Sequence, residues 1–250
     1  MSALRGAVAL AGLVLLWQLA VWVSGAPAFI LPGPGLVGRT WVARWAAIQP
    51  HALVTLSEIL LGMLCGTALG VATAFLLAAF RPARNWLLPV LVASQAIPVF
   101  ALAPILTLWL GFGMAGKILM ATLIIFFPVT SAFYDGLRRT EPGFLDLAGV
   151  MGARPLSVML RVRAMAALPA LASGLRVAAA VAPIGAVVGE WVGASEGLGY
   201  LMLHANGRSQ TDLMFAALFT LAAMALALWW VVDRLARLMV PWQADLLAEP

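Results

Sequence analysis

The stretch EILLGMLCGTALGVATAFLLAAF, residues 58–80, is an apolar run with a charge only at its first position. A membrane-spanning helix needs about 20 predominantly apolar residues, which this run supplies. Gly62, Gly66 and Gly70 recur at every fourth position, and two alanines continue the spacing, so all five lie on one helix face. Small residues at this spacing let helix backbones approach closely in lipid. We therefore predict a spanning helix with a packing face, whose neighbour the spacing does not identify.

The whole chain shares this apolar character. Its 250 residues are 64% hydrophobic and 10% charged, and the mean hydropathy is +1.02. These values lie far outside the usage of a soluble domain and indicate an integral membrane protein. Apolar runs of spanning length lie near 7–24, 53–80, 87–110, 117–135, 166–190 and 213–233. We therefore predict an all-α polytopic fold with about six transmembrane helices.

The loops between these runs predict both domain organisation and orientation. We expect an N-terminal helix with an external connection over 1–50, a core domain over 51–236 that includes the loop 136–163, and a short tail over 237–250. The basic residues divide unequally between alternate loops. One set holds Arg5, Arg81, Arg84, Arg138, Arg139, Arg154, Arg161, Arg163, Arg234 and Arg237, and the other holds Arg39, Arg44, Lys117 and Arg208. Because cytoplasmic loops are enriched in Lys and Arg, both termini are predicted to be cytoplasmic, and the net charge of +5 reflects topology, not nucleic-acid binding.

Residues 1–24 have an alternative interpretation as a cleaved signal peptide. Arg5 would form its positive region and VSGAPA, residues 23–28, its small-residue cleavage site. The apolar run is long for a signal sequence, and Trp17 and Trp22 suit a retained helix with an interfacial anchor. We therefore favour a retained helix.

The third apolar run, 87–110, is interrupted by Pro89, Pro98 and Pro104. A proline inside a helix removes a backbone hydrogen bond and favours a kink. Broken backbone within a bilayer is tolerated only where protein or a water-filled cavity covers it. We expect Gln95 to face inward, either bonded to a freed carbonyl in a kinked packing helix or lining a translocation path together with these prolines.

Few ionisable residues lie inside the predicted spans: Glu58, Asp135, Arg176 and Glu190, with Asp233 at a cytoplasmic end. Charged groups in a membrane are costly, so each is a candidate functional residue. Glu190 stands beside Trp191 and before a glycine-rich external turn. It either belongs to an outer gate or extends to the membrane surface.

The segment GASEG, Gly193 to Gly197, matches the G-x-S-x-G pattern of serine hydrolases. That pattern requires a preceding strand, whereas an apolar helical run precedes it here. His204 follows Ser195 by nine residues, so an intramembrane serine protease is a minor alternative. The simpler interpretation is a Gly/Ser turn without a catalytic role.

Other catalytic or cofactor patterns are missing from the sequence. The single cysteine, Cys65, excludes an internal disulfide. No metal-ligand cluster, P-loop or dinucleotide fingerprint is present. We therefore predict neither catalytic residues nor a metal or other cofactor in this chain, and no nucleotide or nucleic-acid binding by it.

The loop 136–163 is not composed like a flexible linker. Thr140, Glu141 and Pro142 form a helix-start signal, and Gly152 and Pro155 allow a turn followed by a second start. Residues at helical spacing lie on each side of the turn: Phe144, Leu147, Ala148 and Met151 before it, and Leu156, Met159, Leu160 and Arg163 after it. We predict two short amphipathic helices that lie on the membrane surface or dock into a partner's groove.

This loop resembles the one by which permease subunits of bacterial ATP-binding cassette (ABC) importers contact their ATPase. The family pattern is Glu-Ala-Ala, three residues and Gly. Here Asp146, Leu147 and Ala148 are followed after three residues by Gly152. Asp146 keeps the carboxylate of the family's Glu, and Leu147 replaces its first Ala.

The resemblance covers about residues 28–236. Pro169 and Gly174 agree with the family pattern, while Met165 stands where many relatives have a proline. The segments ILPGP, SQAIPVFALAPILTLWLGFG, GLRVA and VVGEWVGASEGLGYLM are similar to permeases of the nitrate, sulfonate and taurine group. AIPVFALAP is closer to the branch that carries pyrimidine precursors of thiamine.

The resemblance implies a type I importer permease fold with a cytoplasmic coupling helix in a bacterial inner membrane. It implies two permease chains, two ATPase subunits and an external solute-binding protein, with ATP-driven loop motion passed to a gate as alternating access. The implied docking residues are Asp146, Ala148, Gly152, Ala153, Arg154, Leu156, Pro169 and Gly174. The candidate path or gate residues are Gln95, Pro98, Pro104 and Glu190. The solute expected is a sulfonate, taurine, nitrate or thiamine pyrimidine precursor.

A secondary transporter driven by an ion gradient is the alternative from another class. It predicts inverted repeats and inward-facing carboxylates or histidines near the midplane. The sequence shows neither repeats nor a midplane acidic pair.

Overall fold

The computed structural model describes residues 2–242, with side chains from Arg5 onward. Over these residues the chain is helical, and they include no strand. The helices are α1 (Ser2–Ser24), α2 (Pro34–Ala43), α3 (Trp45–Ala79), α4 (Arg81–Ser94), α5 (Val99–Leu110), α6 (Met114–Arg138), α7 (Pro142–Val150), α8 (Pro155–Ser157), a π-helical segment (Val158–Arg163), α9 (Ala164–Gly193), α10 (Leu198–Gly207) and α11 (Thr211–Met239).

The glycine face of the opening stretch packs against α6 of the same chain. A Cβ added to Gly62 would lie 2.5 Å from the Cβ of Ala121, and one added to Gly66 would lie 2.7 Å from Cγ2 of Ile125. Gly70 meets the next turn of α6 in the same way. Because real Cβ atoms do not approach so closely, larger side chains would push the two backbones apart.

Small residues also bring α9 against α6. A Cβ on Gly174 would lie 2.7 Å from the Cβ of Ala132, and one on Gly185 would lie 2.7 Å from the Cα of Ala121. Later residues of α9 contact earlier residues of α6, so these two helices are antiparallel. α3, α6 and α9 therefore form the centre of the fold, and the core cluster of buried apolar side chains is drawn from them.

The relative direction of α3 and α6 determines how many times the chain crosses the membrane. Gly62 contacts Ala121 and Gly70 contacts Val129, so the two helices run in the same direction. The segment between them must therefore return the chain across the bilayer. Together with the five long apolar helices, α4 and α5 complete the predicted six spans.

This third span is broken into two helices at one of the three prolines that the sequence identified as kink positions. α4 and α5 meet at an angle of 99°. The break lies at Gln95 to Pro98, and Pro98 caps the start of α5. Proline disfavours helical conformation at the residue before it, which explains the position of the break. Pro89 and Pro104 remain inside α4 and α5.

The loop after α6 contains one separate short helix, not two. α7 begins at Pro142, where the start signal lies. The helix that begins at Pro155 does not end within the loop. It passes through the π-helical segment into α9, and Pro155–Gly193 is a single apolar helical stretch of 39 residues. The expectation of a second short helix was therefore wrong, because no glycine or proline lies between Pro155 and Pro169 to end the helix within the loop.

The remaining helices lie around this centre. α11 is joined to α9 by an ion pair between Arg176 and Asp233, with 2.7 Å between Nε and Oδ1. α1 contacts the bundle lightly, mainly where Trp17 stacks on Phe215 and Phe219 of α11. With six crossings, the start of α1, α7 and the end of α11 lie on one side of the membrane, and α10 lies on the other.

Candidate functional site

α7 presents an exposed apolar surface at the end of α6. Phe144 is 55% exposed, Leu147 58%, Val150 88% and Met151 76%. Ala148, which the sequence placed with them, is buried and faces the rest of the chain. Three large apolar side chains on this nine-residue helix, with Met151 just after it, are a surface that another molecule can cover.

Gly152 ends α7 with a defined backbone motif. Its φ is +67°, in the left-handed region that glycine adopts without penalty. The N–H of Ala153 donates to the carbonyl of Ala148 at 3.0 Å, and the N–H of Gly152 donates to that of Gly149 at 3.0 Å. These two bonds form a Schellman motif, which satisfies the last carbonyls of a helix. No atom lies within 4 Å of a Cβ placed on Gly152, so its conformation, and not crowding within this chain, requires glycine.

The structure separates the predicted docking residues into two groups. One group is exposed on α7 and on the turn after it: Asp146, Gly152, Ala153, Arg154 and Leu156. The other group lies farther along the chain, inside α9. Gly174 is buried against α6, and Pro169 is half-buried. These two residues lie within α9 and not on the exposed loop where the resemblance placed them.

At the opposite end of the same helices, Glu190 lies in a buried polar cluster. Only 1% of Glu190 is exposed, so the alternative that its side chain extends to the membrane surface is wrong. Its carboxylate accepts a hydrogen bond from Oγ1 of Thr55 at 2.6 Å. Beside it, Nζ of Lys117 lies 2.8 Å from Oε1 of Glu58, whose side chain is fully buried. The other carboxylate oxygen of Glu58 has no hydrogen-bond partner.

This cluster holds the turn between α9 and α10. Four side chains bind the end of the turn and the start of α10. The carbonyl of Glu196 accepts from Lys117 at 3.4 Å, and the N–H of Gly197 donates to Nδ1 of His51 at 3.1 Å. The N–H groups of Leu198 and Gly199, the first residues of α10, donate to Oγ1 of Thr55 at 2.8 Å and Oε2 of Glu190 at 2.5 Å. Gly197 has a φ of +116°, and a Cβ there would collide with the carboxylate of Glu190. The GASEG segment is therefore a turn between two helices, and a strand does not precede it.

Sequence reasoning missed most members of this cluster. Lys117 was counted as an external loop residue, but it is 8% exposed within α6. His51, Thr55 and Glu58 recur at spacings of four and three, so they share one face of α3. This spacing was the available signal, and it becomes informative once α3 is known to extend back to Trp45.

Of the predicted path or gate residues, Glu190 lies in this cluster, whereas Gln95 does not. Gln95 is exposed at the break between α4 and α5. In the described part of the chain, its one side-chain hydrogen bond is a 3.4 Å contact with Oγ of Ser94. The alternative in which Gln95 bonds a carbonyl freed by proline is therefore not seen, and its side chain does not face inward within a single chain.

Among residues 5–242, no three His, Cys, Asp or Glu side chains are close enough together to hold a metal ion.

The Lys117–Glu58 pair yields a stability prediction. Lys117→Met should destabilise the folded chain by about 3 kcal/mol, because it leaves a buried carboxylate without its counter-charge. The double variant Lys117→Met, Glu58→Met should recover most of that loss, because it removes the charge as well. Thermal unfolding in detergent measures both changes. Arg208→Met, an exposed basic residue on the same side, is the control and should have little effect. A double variant no more stable than the single one would contradict this account.

The fold of the chain is shared with a solved ABC transporter. It superimposes on a chain of the MetNI methionine ABC transporter in an inward-facing conformation, with a TM-score of 0.66 and 20% sequence identity. The match covers 78% of this chain and 96% of that one.

Three relatives are similar in sequence over most of their length. A probable ABC transporter permease protein of Haemophilus influenzae is 54% identical over 88% of this chain and 90% of the relative. The riboflavin transport system permease protein RibX of Chloroflexus aurantiacus is 41% identical over 93% and 88%. The formylaminopyrimidine transport permease protein ThiX of Halalkalibacterium halodurans is 34% identical over 92% and 92%.

Residues 66–244 match the family described as the binding-protein-dependent transport system inner membrane component. The match includes the broken third span, α7 with its Schellman motif, and the turn bound by Glu190. It favours the permease interpretation over a gradient-driven transporter or an intramembrane protease. This chain therefore belongs to the family of inner-membrane permease subunits of ABC importers.

Proposed function

We propose that this permease docks a separate ATPase through α7 and the turn at Gly152, on the cytoplasmic side. The observation that carries the proposal is the exposed apolar face of α7, held at a fixed angle by a Schellman motif. α7 is connected to α6 at one end and, through the helix that begins at Pro155, to α9 at the other. A force applied at α7 would therefore act directly on two of the three central helices.

The basic residues support this orientation. Arg138, Arg139, Arg154, Arg161 and Arg163 flank α7, in agreement with the excess of basic residues in cytoplasmic loops. The turn held by Glu190 then faces outward, toward a solute-binding protein. ATP binding and hydrolysis belong to the partner subunit.

Gly152→Asp tests the docking surface. We expect normal membrane insertion and abundance but weaker co-purification of the ATPase and loss of uptake, because an aspartate adds bulk and charge at the contact. Gly152→Asn should be milder than Gly152→Val, since asparagine tolerates the left-handed conformation and a β-branched residue does not. Pull-down of the ATPase and solute uptake in cells measure these effects.

Gly207→Asp is the matched control for charge and bulk. Gly207 is exposed at the end of α10, with no atom within 4 Å of an added Cβ, but on the other side of the membrane. This variant should retain the ATPase. If Gly152→Asp also retains the ATPase and transports at the normal rate, α7 is a surface helix without a docking role.

We further propose that two copies of the chain form the path, with the break between α4 and α5 facing it. Backbone that leaves the helical conformation at membrane depth must be covered by protein or line a water-filled cavity. In the single chain, Gln95 and Pro98 are exposed. A second copy, with a solute path between the two, would provide the cover that this break requires.

Thiol accessibility tests the position of the break. In a Cys65→Ser background, Gln95→Cys should react with a charged, water-soluble thiol reagent, because a path at this point contains water. Leu64→Cys is the control, since Leu64 is 68% exposed on α3 and we expect it to face lipid. Equal protection of both cysteines in membranes would contradict a water-lined path at Gln95.

For the solute, we propose a small nitrogen-ring compound of the flavin or pyrimidine class in place of a sulfonate or nitrate. The relatives named for riboflavin and formylaminopyrimidine transport are more similar to this chain than the taurine relative, which is 26% identical. An anionic solute would favour an unpaired cation along the path. In the described chain, the two cations of the long helices that are not exposed, Lys117 and Arg176, are both paired with carboxylates.

Competition for uptake tests the solute class. Cells that express this permease with the ATPase and binding protein encoded beside it should accumulate labelled riboflavin or a labelled aminopyrimidine. Excess unlabelled ring compound should suppress that uptake, and excess taurine should not. Uptake of labelled taurine in place of the ring compounds would contradict this proposal and would identify the solute as a sulfonate.

A further inference from the structure

The buried cluster at the turn between α9 and α10 contains two carboxyl groups that lie side by side. Glu58 of α3 and Glu190 of α9 are within hydrogen-bond distance of each other. Neither side chain is open to solvent, since Glu58 is fully buried and Glu190 nearly so. Two ionised carboxylates in contact repel each other, and the repulsion is strong where water is excluded.

The cluster holds only one cation for these two carboxyl groups. Lys117 is the only buried basic residue in the described part of the chain, and its ammonium is paired with Glu58. His51 does not add a second fixed charge, because its Nδ1 accepts the N–H of Gly197. The other charged or titratable side chains at this end of the surrounding helices are Glu196, Tyr200, His204, Arg208 and Asp212. Of these, Glu196, His204 and Arg208 are exposed. If both carboxyl groups were ionised, the buried cluster would carry an uncompensated negative charge.

One oxygen of the pair lacks a hydrogen-bond donor. Oε1 of Glu58 accepts from Lys117, but Oε2 of Glu58 is buried and accepts from no group of the described chain. Because this oxygen is shielded from solvent, the missing donor has to come from a side chain that already touches it. Glu190 can supply that donor only if it is protonated. Its two oxygens accept one bond each, from Thr55 and from the N–H of Gly199, and a carboxyl oxygen has two lone pairs.

We propose that the pair formed by Glu58 and Glu190 is a binding site for one proton, which Glu190 carries and donates to Oε2 of Glu58. Glu58 stays ionised and remains paired with Lys117. The shared proton gives the unpaired oxygen its donor, removes the repulsion between the carboxyl groups and leaves the cluster with no net charge. Two carboxyl groups that share a site commonly hold one proton in this way.

The proton also affects the turn between α9 and α10, because Glu190 binds the N–H of Gly199. When the proton is lost, repulsion from Glu58 acts on the side chain that holds the start of α10. The attachment of this turn to α3 and α9 is therefore sensitive to pH.

Infrared spectroscopy tests for the proton directly, because protonated and ionised carboxyl groups have different carbonyl stretching bands. The full chain is purified in a detergent without carbonyl groups, and spectra recorded at neutral pH are compared with those of variants. We expect the unmodified chain to show the band of a protonated carboxyl group and Glu190→Gln to lose it. Glu58→Gln should also lose it, because the glutamine removes the like charge and its amide donates to Glu190, which then ionises beside Lys117.

Glu196→Gln is the matched control. Glu196 is exposed in the same turn, and Lys117 contacts its backbone carbonyl, not its side chain. This variant should keep the band. Absence of the band from the unmodified chain would overturn the proposal, because the pair would then hold no proton. Persistence of the band in Glu58→Gln would also overturn it, because the proton would then belong to Glu190 alone.

The same proton predicts how stability depends on pH. A proton that the folded chain binds and the unfolded chain releases favours folding, and this contribution is lost as the pH rises. Between about pH 6 and about pH 9, the equilibrium constant for unfolding of the unmodified chain should rise relative to that of Glu190→Gln by up to about tenfold per pH unit. Thermal unfolding in detergent measures this difference. Parallel pH dependences for the two chains would contradict a shared proton.

Discussion

The direct contact between the backbones of α3, α6 and α9 is the constraint on which the rest of the structure depends. At Gly62, Gly66 and Gly185 the distances leave no room for a Cβ. Lipid supplies no hydrophobic force that drives helices together, so van der Waals contact over such surfaces holds the centre of the fold. Close approach also fixes the register of the three helices, because each glycine leaves space only for the residue that lies opposite it on the neighbouring helix.

Both functional ends of the molecule follow from this register. At one end it brings Thr55 and Glu58 of α3, Lys117 of α6 and Glu190 of α9 within hydrogen-bond distance of one another or of the turn that they share. At the other end, α6 and α9 are joined through α7 and its exposed apolar face. The same three helices thus connect the exposed apolar face of α7 to a turn on the opposite side. α4, α5 and α1 pack less closely, and the broken span lies among them.

A large part of this arrangement was accessible from the sequence. The membrane class, the count of six spans and the packing face on α3 follow from apolar length and glycine spacing. A turn at Gly152 was expected because it separates two helix-forming segments. Other expectations failed for identifiable reasons. The second loop helix does not end, because no glycine or proline lies between Pro155 and Pro169. The third span breaks only at Pro98, although three prolines interrupt it. Gly174 fits the family pattern of the loop but packs inside α9.

The sequence by itself determined which segments enter the membrane and where some helices begin or end, as at Pro142 and Gly152, because these depend on local composition, prolines and capping residues. Only the tertiary structure decided which charged and polar side chains contact each other. Lys117 lies 59 positions from Glu58, and Glu190 lies 135 positions from Thr55. Periodicity along one helix places a residue on a face but does not say which face of another helix lies opposite. That depends on how closely the backbones approach, and in this protein the glycines of three different helices set that distance together.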